Sequence, residues 1–530
     1  MPKVAALAGH GFDGTHFIED VDVAFTRRGA VPGDERVEVL PERCYRGGVS
    51  DWGAALFYTD FLGRNPLDAR QLEPYTGLTT KALARALELS VDELYDLVSG
   101  SDNWQMVGAS YVDGPDRHRT LGDLRVQTLK PCLDTLLTHA ERNLCEAFPH
   151  SDSQRRSRDW FREERMALDS LLRDGGAGGV PEVYRAWMRR HVPHGWSFDL
   201  TSRLFDIASE AVRDDPLHAL FLERYEDAAR LYNAAIAESG VSVAPLATDR
   251  GELPLFAVFN RGGHQYRTPL ARDGGWVKAG DQAWRLERSA GGALTFPYDA
   301  LREAGVTALS GKALILVLQA VRCAAGAPLV IPHRGSVYMP GARRLAASLR
   351  DAGLLSLPDW PVFRVRFGFL DALRTLAVPV RLPAYLHPFL PAPEISAREL
   401  AEAVPPLVER AQEELRALTD EAGREQVFRR HLPALAEELA DKEGRQRAAA
   451  RDPATRPLAS RLWDEVKALR RQRTRWLLDR AVGLLHAGDT GYFDSRGALL
   501  PWSLALGGRP FYEQVLGQAR LYRDGEAPHP

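Results

Sequence analysis

A loop near the middle of the chain carries side chains suited to chemistry on an anion. Residues 332–338, PHRGSVY, follow the apolar residues 329–331, which predict a short strand, and precede a predicted helix. Backbone N–H groups and the helix dipole face an anion bound at such a place. His333 supplies an acid or base there, and Arg334 a clamp for phosphate or carboxylate. An ordinary strand-to-helix connection explains the same pattern. The candidate substrate-binding residues of the loop are Arg334, Gly335, Ser336 and Tyr338.

A second polar loop lies near the N-terminus. It follows residues 4–8, VAALA, which predict a buried strand. Residues 12–16, FDGTH, resemble the first half of the Phe-Asp-x-x-His-x-Gly-His pattern of nucleotidylyltransferases, whose histidines stabilise phosphate charge. The second half is missing, because residues 17–19 are FIE. A polar loop that closes the strand is the alternative. The candidates here are His16 as a catalytic residue and His10 and Asp13 as substrate-binding residues.

Three further polar segments have simpler explanations. His191 and His194 are three residues apart, but Pro193 between them favours a loop over a helical metal pair. Residues 113–119 form a turn of mixed charge, and the arginines within 470–475 are diluted by nearby acidic residues. We find no P-loop, GxSxG or HExxH motif. The sequence therefore predicts no metal site and no nucleic-acid partner.

Composition narrows the class of protein. The chain has 530 residues and a formal net charge of −3, so it offers no excess positive charge for nucleic acid or an anionic membrane. Its four cysteines form no CxxC pair, which is typical of a reducing compartment and predicts a cytoplasmic protein. No apolar stretch reaches the roughly 20 residues that a membrane-spanning helix needs.

Hydrophobic periodicity divides the chain into four predicted parts. Residues 1–175 are an N-terminal α/β part with a helical segment. Residues 180–395 continue the α/β core and include a β insertion at 252–290, where a Gly-Gly turn between alternating strands predicts a hairpin. Residues 396–487 predict an antiparallel helical hairpin or coiled coil. Residues 488–530 are expected to pack back on the core.

From about residue 200, the order of these elements resembles the cysteine ligase family of bacillithiol biosynthesis and its uncharacterised relatives. The similar stretches are residues 225–236, 252–267, 316–338, 361–366, 400–487 and 500–515. The resemblance implies a Rossmann-like core related to nucleotidylyltransferases and a coiled coil that serves dimerisation. It also implies a reaction that joins cysteine to the amine of a glucosamine–malate precursor. The family's Gly-Gln-Gln turn corresponds in part to Gly9 and His10.

These observations together predict an α/β protein with a Rossmann-like core, a small β insertion and a C-terminal helical hairpin. We expect the two polar loops to open onto one pocket, with Gln319 of the intervening predicted helix beside them. The predicted function is that of a ligase or group transferase acting on a polar, anionic small molecule. The alternatives are an assembly protein that forms homo-oligomers through its helical hairpin and a nucleotidylyltransferase-like nucleotide binder. The sequence requires no cofactor, and a nucleotide is the one candidate it suggests.

Overall fold

The computed structural model describes most of the chain. The described residues are 1–22, 26–27, 38–41, 45–46, 61–62, 67–98, 104–107, 118–124, 126–174, 179–192, 195–241, 243–289, 291–323, 327–333, 335–355, 360–451, 455–490 and 499–526. They form a mixed α/β protein in which helices predominate. The α/β prediction is thereby confirmed at this coarse level.

The helices extend over the whole length of the chain. In chain order they are α1 Pro2–Gly9, α2 Glu73–Thr76, α3 Thr80–Ala86, α4 Val91–Val98, α5 Val126–Ala147, α6 Ser151–Asp174, α7 Val180–Arg189, α8 Thr201–Leu204, α9 Glu210–Arg213, α10 Pro216–Glu223, α11 Tyr225–Ser239, α12 Tyr298–Glu303, α13 Leu314–Cys323, α14 Met339–Asp351, α15 Phe369–Leu373, α16 Ala397–Ala417, α17 Glu421–His431, α18 Pro433–Arg451, α19 Arg456–Gly488 and α20 Leu499–Gly517. Within the described residues, none of these helices is both long enough and apolar enough to cross a membrane.

The strands are shorter and form several small sheets. They are β1 Gly14–Ile18, β2 Thr26–Arg27, β3 Glu38–Pro41, β4 Tyr45–Arg46, β5 Trp104–Val107, β6 His118–Arg119, β7 Trp196–Leu200, β8 Glu252–Arg261, β9 His264–Asp273, β10 Trp276–Ala279, β11 Gln282–Arg285, β12 Glu287–Arg288, β13 Leu294–Thr295, β14 Val306–Gly311, β15 Leu329–Pro332, β16 Val362–Arg366, β17 Pro379–Arg381, β18 Glu394–Ser396 and β19 Arg520–Arg523.

The N-terminal segment differs from the prediction. Residues 4–8 lie within helix α1 and not in a strand. A short apolar run fits a buried helix as well as a buried strand, and three alanines together with a proline in the first turn favour the helix. The first strand of the chain is therefore β1, and the loop that follows it consists of residues 19–22.

The β insertion is the antiparallel sheet that the sequence predicts. Its strand order is β11-β10-β9-β8-β14, and β6 adds a further pairing to β9. Gly262 and Gly263 join β8 to β9 with φ values of 61° and 81°, which suit a tight hairpin turn. The predicted hairpin is confirmed. One face of this sheet packs with helices α10 to α14 in a common core that includes Phe221, Tyr232 and Phe296.

Two pairs of parallel strands lie outside that sheet. Strand β1 pairs with β7, and β15 pairs with β16 after the chain has crossed over through α14. Strand β19 completes the second group by pairing antiparallel to β16. Open α/β sheets bind ligands at the carboxyl ends of parallel strands, and the loops after β1 and β15 begin at such ends.

The described part of the helical section contains four helices, α16 to α19, where the sequence predicts one hairpin. Helix α19 returns along α18, and the ion pairs Lys442–Glu465 and Arg470–Glu443 join these two helices. Leu439, Val466 and Leu469 form a small core between them. The C-terminal half of α19 packs on α16 and contributes to the largest core of the molecule, which also contains α5, α6, α7 and α20.

Candidate functional site

The loop after β1, residues 19–22, is here called the acidic loop because it contains Glu19, Asp20 and Asp22. A Glu19 carboxylate oxygen accepts hydrogen bonds from the backbone N–H groups of Val21 and Asp22, both at 2.9 Å. Asp20 is buried and accepts from the backbone N–H of Ser202 at 2.8 Å. These bonds fix the loop against the start of α8.

Two carboxyl groups of the acidic loop have shifted proton affinities. Burial, followed by the negative charges of Asp22 and Asp20, raises the pKa of Glu19 to about 7. Burial also raises the pKa of Asp20. A carboxyl group that titrates near neutrality can both give and take a proton at physiological pH, which is the property a general acid–base catalyst needs.

The loop after β15 begins at His333 and ends at Tyr338. Arg364 on the neighbouring strand β16 donates hydrogen bonds to the carbonyl oxygens of His333 at 2.7 Å and Gly335 at 3.2 Å. A Cβ atom at Gly335 would lie 2.8 Å from Cδ of Pro332, so this position has no room for a side chain. Ser336 has a φ of 54°, an uncommon left-handed conformation.

Tyr338 lies within the electrostatic range of the acidic loop. Burial raises the pKa of the Tyr338 phenol, the negative charge of Asp22 raises it further, and the positive charge of Arg267 opposes both. Charges from the acidic loop and the antiparallel sheet therefore act on this residue of the β15–α14 connection.

Arg267 of strand β9 forms an ion pair with the acidic loop. Its Nη1 lies 3.0 Å from Oδ1 of Asp22, and its guanidinium stacks on the ring of Phe256 with 4.3 Å between the guanidinium carbon and the ring centroid. The Arg267 side chain is 18% exposed and that of Asp22 is 49% exposed. The carboxylate of this pair is accessible to solvent, and the guanidinium is largely sheltered.

Lys3 of α1 and His16 of β1 lie within electrostatic range of each other. Nζ of Lys3 donates a hydrogen bond to the carbonyl oxygen of Val330 at 2.9 Å, which ties α1 to β15. Burial lowers the pKa of Lys3 to about 8. Burial also lowers the pKa of His16, and the positive charge of Lys3 lowers it further, so this imidazole is neutral at physiological pH. The His16 ring packs edge-on against Phe198 of β7.

The other residues that the sequence predicts near the N-terminus lie at the opposite end of β1 from the acidic loop. His10 and Asp13 precede β1 and are exposed, because the strand begins at Gly14 and not at Val4. Nε2 of His10 lies 3.1 Å from the carbonyl oxygen of Ala519, just before β19. His333 also contacts the C-terminal segment, through the hydroxyl of Tyr522.

Gln319 is a core residue of α13. Its amide donates to the carbonyl of Leu309 at 2.7 Å and accepts from the N–H of Gly311 at 2.8 Å, and the side chain is fully buried. The amide therefore holds the end of strand β14 against the helix. Arg334, the predicted anion clamp, lies outside the described residues.

Side chains of the other polar segments form ordinary structural contacts. His191 lies 3.1 Å from Glu164, whereas His194 is not among the described residues. Arg470, Arg471, Arg473 and Arg475 each form an ion pair with a carboxylate, as expected for a solvated helix face. In the part of the chain that the structure describes, no three His, Cys, Asp or Glu side chains are grouped closely enough to hold a metal ion.

Four members of the candidate site were not identified as site residues from the sequence, namely Lys3, Glu19, Asp22 and Arg267. The signal for two of them was present: three acidic residues within four positions, directly after a strand. A strand at residues 4–8 would place the candidate loop directly after it, which is before β1 in the structure. Lys3 and Arg267 carry no local pattern, because their roles depend on contacts with distant segments.

The candidate site thus combines a carboxyl group that titrates near neutrality, a sheltered guanidinium, a neutral imidazole and a phenol. Comparison of the chain with protein-family models and with curated proteins finds no match in either case.

Proposed function

We propose that the protein is a ligase or group transferase that acts on a polar, anionic small molecule. The substrate would lie between the acidic loop and the β15–α14 connection. The observation that supports this most is the ion pair of Arg267 with Asp22 in the loop after β1, because both charges act on Tyr338 in the connection after β15. Open α/β folds bind ligands at the carboxyl ends of such strands.

A Rossmann-like core is part of the proposal. The parallel pairs β1–β7 and β15–β16 would belong to one such core. Helix α1, which precedes β1 in the chain, is hydrogen-bonded to β15 through Lys3 and Val330. The crossover through α14 between β15 and β16 is the connection that this class of fold uses. The resemblance to the cysteine-adding enzymes of bacillithiol biosynthesis implies the same arrangement, and it suggests an amino sugar derivative and an amino acid as substrates.

Arg267 is the proposed anion-binding residue. Its guanidinium is sheltered by Phe256, and lower water exposure strengthens its attraction for a negative charge. A substrate phosphate or carboxylate would replace the exposed Asp22 as its partner and accept two hydrogen bonds from the guanidinium. The phenol of Tyr338 would donate a further hydrogen bond to the same anion.

The catalytic groups of the proposal are Glu19, His16 and His333. Glu19 would exchange a proton with the attacking or leaving group, since its pKa of about 7 matches the working pH. His16 and His333 would stabilise charge that develops on the substrate by hydrogen bonding. Lys3 would add positive charge behind His16.

A thermal-shift screen of the full-length protein tests this proposal. The probes are ATP, cysteine and glucosamine 6-phosphate, which represent nucleotides, amino-acid thiols and anionic amino sugars. A ligand at one hundred times its dissociation constant stabilises the native state by about 2.7 kcal/mol. We expect at least one probe to raise the melting temperature in a dose-dependent manner. No shift with any probe, together with self-association lost when the α18–α19 hairpin is altered, would support an assembly protein instead.

A further inference from the structure

The C-terminal strand β19 lies beside the proposed catalytic histidine. Tyr522 pairs with Arg364 of β16 in the antiparallel ladder, and its hydroxyl is hydrogen-bonded to Nδ1 of His333. The two rings are tilted by 59°, with their centroids 5.8 Å apart. The hydroxyl therefore meets the imidazole in one defined orientation, through one of its two nitrogens.

The partners of the Tyr522 hydroxyl indicate which atom of this bond carries the hydrogen. Burial raises the pKa of Tyr522, so the phenol keeps its proton at neutral pH. The positive charges of Arg364 and Arg366 oppose this rise in pKa, and the negative charge of Asp524 adds to it. Within the described residues, His333 is the hydrogen-bond partner of this hydroxyl. A hydroxyl that only accepted from Nδ1 would leave its own hydrogen without an acceptor among these residues, so the geometry favours donation to Nδ1.

The backbone on both sides of residue 334 is also fixed from the C-terminal segment. The buried carboxylate of Asp524 accepts from Nε of Arg364 at 2.5 Å and from the indole N–H of Trp360 at 3.1 Å. The same guanidinium of Arg364 donates to the carbonyls of His333 and Gly335. Asp524 thus orients the arginine that holds the loop, and Tyr522 orients the ring.

We propose that Tyr522 is a positioning residue that sets the tautomer of His333: its hydroxyl donates to Nδ1, so the neutral imidazole carries its hydrogen on Nε2. Which ring nitrogen is protonated follows from the hydrogen bond that the other one makes. His333 then acts as a hydrogen-bond donor through Nε2 and stabilises negative charge. The catalytic consequence rests on the proposed function, whereas the tautomer itself does not.

The tautomer is measured by NMR on the full-length protein labelled with ¹⁵N-histidine. Long-range ¹H–¹⁵N spectra distinguish protonated from unprotonated ring nitrogens, and the His333→Gln variant identifies the signals of His333 among the 14 histidines. We expect His333 of the unaltered protein to show unprotonated Nδ1 and protonated Nε2. Tyr522→Phe should shift both signals toward an average of the two tautomers. Protonated Nδ1 in the unaltered protein, or unchanged signals in Tyr522→Phe, would overturn the proposal.

A matched control separates this effect from the loss of a hydroxyl elsewhere. Tyr225 donates its own hydroxyl to the carbonyl of Glu252 at 2.9 Å, so Tyr225→Phe removes a comparable bond. That variant should leave the His333 signals unchanged, and a shift equal to that in Tyr522→Phe would count against a specific role. The spectra need no ligand, so failure of the tautomer assignment leaves the proposed function standing. Likewise, a thermal-shift screen without a hit leaves the tautomer result intact.

Discussion

Nη1 of Arg267 lies 3.0 Å from Oδ1 of Asp22, and this ion pair connects the antiparallel sheet to the loop after the first parallel strand. The guanidinium is packed against Phe256, and Tyr338 of the second loop lies within the electrostatic reach of both charges. Asp22 thus pairs with a residue more than 200 positions away in the sequence, and Tyr338 comes from a third segment.

Substitution of Gly335 by alanine should destabilise the β15–α14 connection. The new Cβ would lie 2.8 Å from Pro332 Cδ, so the loop must move and weaken the hydrogen bonds from Arg364. We expect a loss of about 1–3 kcal/mol in the free energy of unfolding, measured by urea denaturation. Gly444→Ala is the matched control: no atom lies within 4 Å of a Cβ there, and alanine in a helix should add roughly 0.5–1 kcal/mol. Equal effects at the two positions would contradict this account of Gly335.

Lys3→Met should remove a rise in stability at alkaline pH. The Lys3 pKa is about 8 in the folded protein against a usual value of 10.5, so between these values the unfolded chain binds the extra proton. Stability contributed by Lys3 therefore increases as the pH rises from about 8 toward 10.5, by at most about 1.4 kcal/mol per pH unit. Urea denaturation at a series of pH values measures it. Identical slopes for Lys3→Met and the unaltered protein would show that Lys3 is not buried.

His218 should make the protein sensitive to acid. Its ring is buried against Phe296, Nδ1 is hydrogen-bonded to the Tyr298 hydroxyl at 2.9 Å, and burial lowers its pKa. The unfolded chain gains a proton near the ordinary value of 6.5 while the folded protein does not, so stability falls as the pH drops below about 6.5. In His218→Gln the melting temperature should depend less on pH between 6.5 and 5. The exposed His150→Gln variant should retain the slope of the unaltered protein, and loss of the slope there would contradict the assignment.

The β insertion and the helical hairpin could be predicted because local sequence determines both. Gly262 and Gly263 impose the turn between alternating strands, and the leucine spacing of α19 defines one buried face. Helix α1 could not be predicted, because a run of five apolar residues fits a helix as well as a strand. That single error placed the candidate site before β1 at Asp13, whereas the converging residues follow it at Asp22.

Gln319 illustrates a second limit of sequence reasoning. A glutamine within an apolar segment suggests either a ligand contact or a buried backbone contact, and the two have the same local pattern. The structure shows the amide between Leu309 and Gly311, with a hydrogen bond at each end.

The ion pair of Arg267 has no local sequence signal at all, since nothing near Arg267 in the sequence points to Asp22. Pairings of this kind depend on the fold and cannot be derived from spacing.

The central claim is that Arg267 holds an anionic ligand, and isothermal titration tests it most directly. The probe that gives the largest thermal shift is titrated into the unaltered protein, Arg267→Gln and the control Arg250→Gln, whose side chain is 84% exposed. The account predicts at least a tenfold weaker dissociation constant for Arg267→Gln and an unchanged value for Arg250→Gln, with both variants folded. Equal affinities in all three proteins would contradict it.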